Sequence, residues 1–192
     1  MDELTDEIID MLIGAHITAS WAMAEAALVD SSTIRPLSIA MNMAKGELNM
    51  VPLLGTKEES EELIRHVVTM TNSDFVLMVA EASMLVVQTA EEARTTSPSQ
   101  DPRSKDVVVV RYRVKGREAQ MIVRDIKVDG HVRKLGEIIT DTSKSNNAQQ
   151  VDTLFSDIFE RPHFMPSARS TNENPIDVLN RLLSGSSGIT LH

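Results

Sequence analysis

Past its opening aspartate, the apolar run Asp74 to Val87 (DFVLMVAEASMLVV) contains one ionisable side chain, Glu81, near its middle. A buried carboxylate is costly unless it is paired, hydrogen-bonded, protonated or brought to a surface. Glu81 therefore needs a counterpart: an arginine from the neighbouring hairpin, an exposed strand end, or a role as a catalytic or metal-binding acid. A second constellation is Asp125-Ile126-Lys127. Alternate residues of a strand share a face, so Asp125 and Lys127 can flank one metal-bound water, with Glu81 as a second ligand, which is the chemistry of metal-dependent phosphodiester cleavage. The motif is only two residues long, and any basic hairpin generates it by chance. The third set is cationic. Arg111, Arg113, Lys115, Arg117, Arg124 and Lys127 lie within the segment 107–128, and Arg103 just before it. Arg103, Arg111, Arg113 and Arg117 are its candidate binding residues, for phosphate or for acidic protein groups.

Composition limits these choices. The chain has 192 residues, a formal charge of −9 and no cysteine, so thiol nucleophiles, disulfides and zinc thiolate sites are excluded. Nucleophile-elbow, phosphate-loop, His-Glu-x-x-His and EF-hand patterns are absent, so the sequence implies no cofactor and no metal-ligand set. Overall acidity and 3 % aromatic residues count against nucleic-acid binding by the hairpin, where only Tyr112 could stack on a base. Charge is also uneven: Met1 to Asp30 holds seven acids and no Lys or Arg, whereas Arg103 to Lys134 holds ten bases against four acids. These segments can attract each other within a monomer or between subunits. The acidic N-terminus lacks the basic start of a secretory signal, and no apolar run approaches membrane-spanning length, so a cytoplasmic protein is expected.

The elements that must position these residues follow from periodicity. Leu4 to Val29 carries Ile9, Leu12, Ile13, Ile17, Trp21, Ala24 and Leu28 at helical spacing, with acids at its N-terminal end where the macrodipole favours them. In Leu37 to Ala44 apolar residues alternate with Ser38, Ala40 and Asn42, which predicts a half-buried strand. Lys45-Gly46-Glu47 turns the chain into a second strand, Leu48 to Leu54, and Pro52 puts it at an edge. Thr56 and Glu59 make a capping box for a helix to about Met70, with Leu63, Ile64, Val67 and Val68 inward. Asp74 to Val87 reads as a central strand buried on both faces. A long polar loop over 88–105 precedes the hairpin Val107 to Val114 and Ala119 to Val128, turned by Lys115-Gly116-Arg117. Val132 to Ile139 forms another short strand or only a bend, and Val151 to Glu160 a last helix. Residues 161–192 have the composition of a flexible tail with an amphipathic segment at 175–183.

The expected architecture is thus one α+β domain over 1–160. A single, mainly antiparallel sheet of five or six strands is covered by helices in the order α-ββ-α-β-ββ(β)-α. That order is similar to profilin-like or longin-like domains, an analogy of fold without function. Val79-Ala80-Glu81-Ala82, followed by Pro98-Ser99-Gln100-Asp101-Pro102-Arg103, resembles a pattern in small uncharacterised proteins of bacteria and their phages. Those carry Ser-Glu-Ala-Trp on the strand; Ala80 and Ser83 depart from it here. The resemblance spans about Leu37 to Val128 and implies that Glu81 and the Asp101 to Arg103 loop belong together, with Arg103 returning to neutralise Glu81. Similarity of Asp125-Ile126-Lys127 to PD-(D/E)xK nucleases implies the metal-dependent alternative.

The function expected from these features is a non-enzymatic domain acting through protein contacts, as a homo-oligomer or with a protein partner. Eleven methionines, opposite charges on separate segments and an apolar island in the tail all favour association.

Overall fold

The computed structural model describes residues 5–30, 33–53, 55–85, 91, 100–141 and 157–160. Two helices, α1 (Asp6–Val29) and α2 (Lys57–Thr71), accompany six strands: β1 (Leu37–Asn42), β2 (Glu47–Pro52), β3 (Phe75–Met84), β4 (Lys105–Val114), β5 (Gln120–Asp129) and β6 (Val132–Asp141). All neighbouring strands pair antiparallel in the order β2-β1-β3-β4-β5-β6. This is the expected α+β fold on one sheet. β2, which ends in Pro52, is an edge strand, as the missing proline N–H requires.

The two helices cover opposite faces. Ile13, Ala24 and Leu28 of α1 bury against Phe75, Leu77, Val79, Val108, Val110, Tyr112 and Val114, with Ile9, Leu12, Ile17 and Trp21 partly buried around them. On the other face Ile64 and Val68 of α2 pack on Ala40 and Val76, and Ile158 joins this cluster. Thr5 caps α1 by accepting from the Ile8 N–H at 3.4 Å. At α2 the capping box is present: Thr56 Oγ accepts from Glu59 N at 3.2 Å, and Glu59 Oε2 accepts from Thr56 N at 2.8 Å. Asn72 closes α2 in the left-handed conformation at φ 47°, a site that favours asparagine among residues with a side chain.

Several expectations need correction. β1 is not half-buried, because Ser38, Ala40 and Asn42 are as enclosed as Met41. It lies between β2 and β3 with a helix on each face. Its small polar-face residues leave room for α2, Ser38 Oγ donates to Leu77 O at 3.0 Å, and Asn42 Nδ2 donates to Asn72 O at 3.0 Å. β3 is central, but it ends at Met84 and is enclosed on both faces only as far as Val79; Ala82 and Ser83 are exposed. The segment after Asp129-Gly130 is neither short nor a bend, since β6 runs ten residues along β5 with β-bulges near Arg124. Residues 157–160 form a turn; the rest of the expected last helix and the 161–192 tail lie outside the described residues. Finally, α1 is long and apolar enough, by length and composition, to cross a membrane, with mean hydropathy 1.3 over an 18-residue window. The expectation that no segment reaches that length fails because Ala, Gly and Thr, rather than charges, fill its outer side.

Candidate functional site

Alternation along the antiparallel ladder decides which candidate residues can meet. Glu81 faces Val108 across the β3–β4 ladder, and Val108 faces Arg124 on β5. Val108 belongs to the α1 side, so Glu81 does too. Asp125, next to Arg124, pairs with Val107 on the opposite face, and Lys127 shares that face by alternation. The sheet therefore separates Glu81 from Asp125 and Lys127, and no group of three or more metal-ligating side chains is found among the described residues.

Glu81 is held by Arg133 of β6, through a close carboxylate–guanidinium contact and a second one at 3.4 Å, and its Oε2 also accepts from the Ile34 N–H at 3.2 Å. Its arginine comes neither from the 107–128 hairpin nor from the 103 loop. Arg103 instead grips Asp101 with both its backbone and its guanidinium, at 2.8–3.0 Å, and these hydrogen bonds hold the Asp101 carboxyl below its ordinary value. Nor does the Arg111/Arg113 face meet Glu81, because the register puts those arginines on the other side of the sheet. Lys127 lies 3.8 Å from Glu137. The Asp125 carboxylate rests against Gly136 of β6, where a Cβ would collide with it, and its Oδ1 is buried without a hydrogen-bond partner among the described residues.

Arg113, Arg117 and Arg124 are engaged inside the fold. Arg113, only 8 % exposed, donates to both Glu160 oxygens at 2.8 and 2.5 Å and to Arg117 O at 3.0 Å. The same contact holds the Glu160 carboxyl below its ordinary value. Arg117 bridges the β4–β5 turn to α1, donating to Asp10 at 2.6 Å and Asp6 at 2.5 Å; these hydrogen bonds push its pKa up. The attraction between the acidic start and the basic middle is thus made within one chain. Arg124 donates to Gly136 O and lies 5.5 Å from the Trp21 ring centroid. Arg111 is half-buried, and burial pushes its pKa down. It lines a cleft of about 470 Å³ with Met78, Val109, Leu53, Thr56 and Ser60, between the start of α2 and the sheet.

One surface escaped the sequence reading. Opposite its buried stripe, α1 exposes Met11 (66 %), Val29 (60 %) and Ile8 (39 %), with Gly14, Ala15, Thr18, Ala22 and Ala26 exposed between them. From Met11 to Val29 the only Asp, Glu, Lys or Arg is Glu25. That scarcity of charge was the available signal. Helices apolar all round belong in buried settings, yet the described residues cover only one side of this one. Beside it on β6, Ile138 pairs with Arg124 and is 53 % exposed.

Comparison with protein-family models, with curated proteins and with solved structures returns no match for this chain.

Proposed function

We propose that this chain is a protein-contact domain, working through self-association or docking on a protein partner rather than through catalysis. The observation that carries this reading is the nearly charge-free outer side of α1, which no described residue covers. Removing such a surface from water is favourable by about 25 cal/mol per Å² of apolar area, and exposed methionines adapt to whatever covers them. The engagement of the titratable candidates supports it further. Glu81 is tied to Arg133, Arg103 to Asp101, Arg113 to Glu160 and Arg117 to Asp6 and Asp10. With Arg113, Arg117 and Arg124 so occupied, the hairpin keeps few cations to offer phosphates. Sedimentation of the full chain over a range of concentrations is expected to show reversible association. A strict monomer that recovers no protein partner in a pull-down overturns the reading. A second check is a low-salt gel shift with duplex and single-stranded DNA, expected to show no retardation.

A further inference from the structure

The outward residues of α1 are not merely apolar; their spacing is regular. Ile8, Met11, Ala15, Thr18 and Ala22 follow one another at intervals of 3, 4, 3 and 4 residues, and the exposed stripe continues through Ala26 to Val29. A mean step of 3.5 residues keeps a stripe facing one neighbour along a slightly supercoiled helix, which is the pattern that asks for a second helix as cover. The buried stripe of the same helix, through Ile13, Ser20, Ala24 and Leu28, is already used by the sheet. α1 thus carries two apolar sides, and among the described residues only one is covered.

From this we infer that α1 is the dimer interface, pairing antiparallel with the α1 of a second copy about a two-fold axis near Thr18. This rests on the association reading above and names its partner and surface. Charge sets the direction. Asp6, Glu7 and Asp10 crowd the first turns of α1 and no base occupies its last turn. Parallel pairing would bring together two net-negative ends, three acids against the single Arg117 in each copy, with the two helix dipoles aligned side by side. Antiparallel pairing separates the two acidic ends by most of the helix length, about 36 Å for 24 residues, which is several Debye lengths at physiological salt. Alanines at the middle, Ala15 facing the other copy's Ala22, allow the close axial approach, about 8 Å, that small contact residues give, while Met11 of one copy faces the other's Ala26 and Ile8 its Val29.

Side-chain chemistry favours a second copy over a lipid surface. α1 has no Lys or Arg to bind headgroups, and its outer side lacks the bulky aromatic anchors of interfacial helices. Two helices of this length, even with Ile138 beside them, bury an area at or below the low end of the roughly 1,200–2,000 Å² of stable interfaces. The dimer is therefore reversible and concentration-dependent.

Because the chain has no cysteine, each introduced thiol is the only one present. Met11→Cys and Ala26→Cys chains, mixed and mildly oxidised, are expected to give the mixed disulfide in several-fold excess over either homodisulfide, while an exposed Lys45→Cys control does not crosslink. Homodisulfides of Met11→Cys alone in excess mean parallel pairing and overturn the inference. In sedimentation, Ala22→Glu, on an exposed position that the fold tolerates, is expected to weaken the dimer by about tenfold or more, equivalent to the 1.4 kcal/mol that one decade represents. A dimer that persists unchanged in Ala22→Glu, with no α1 crosslink, overturns this interface but leaves self-association standing. A monomer at every concentration overturns both.

Discussion

Glu81 sits half-buried between the Arg133 guanidinium and the Ile34 amide, with side-chain exposures of 17 % and 19 % for the two charged partners. Removing one partner strands the other charge, so Arg133→Ala is expected to cost about 1–3 kcal/mol in denaturant unfolding. Arg133→Ala/Glu81→Gln should cost clearly less than the sum of the single changes; simple additivity would show that the contact contributes no coupling. Across the sheet, Gly136 has no room for a Cβ because the Asp125 carboxylate occupies it. Gly136→Ala is expected to destabilise by about 1–3 kcal/mol. Asp125→Ala removes a buried oxygen that has no partner among the described residues, so alone it should leave stability within about 0.5 kcal/mol, and in combination it should rescue Gly136→Ala. Failure of that rescue in thermal melts would place the strain elsewhere. At this scale the sequence disclosed the need but not the partner. A lone carboxylate in an apolar strand demands a cation, yet which arginine supplies it depends on how the sheet brings β6 near β3, and no local spacing encodes that.

Elements were more legible than pairs. The capping box at Thr56 and Glu59, the glycine turn at Gly116 (φ +82°) and the helical stripe of α1 all appear as the sequence reads, because each is a local device. β1 and β3 were misjudged in burial. Strand patterns report hydrophobicity, whereas enclosure depends on neighbours: Ser38 and Ala40 look like a solvent face and are instead the seat of α2. The outer side of α1 went unread for the same reason, since alanines suit both a surface and an interface. The turn at 157–160 is pinned to the sheet by Arg113–Glu160 and to α2 by Arg65–Asp157. Glu160 has a depressed folded-state pKa. The stability it contributes is therefore present above its ordinary value of 4.5 and is lost as pH falls through the lower folded value. The advantage of the native chain over Glu160→Gln should be small, under about 1 kcal/mol for a carboxylate half exposed to solvent, and should shrink between neutral pH and pH 3. An advantage that grows on acidification would contradict the contact.

For the whole molecule, the net charge of −9 sets how copies approach one another. Two such bodies repel at long range, and salt screens that repulsion without weakening apolar burial. Association should therefore tighten as sodium chloride rises from about 20 to about 300 mM. Dissociation over the same range would point instead to an interface built on ion pairs, as the split between acidic and basic segments first suggests. That split is spent internally, where Arg117 joins Asp6 and Asp10 across more than a hundred residues of chain.

A single indole gives this chain its own optical gauge. Trp21 is partly enclosed on α1 and lies 5.5 Å from the Arg124 guanidinium, so its emission follows the seating of that helix on the strands. If the helix lifts while the strands stay paired, the fluorescence will shift to the red before the far-ultraviolet dichroism of the sheet changes.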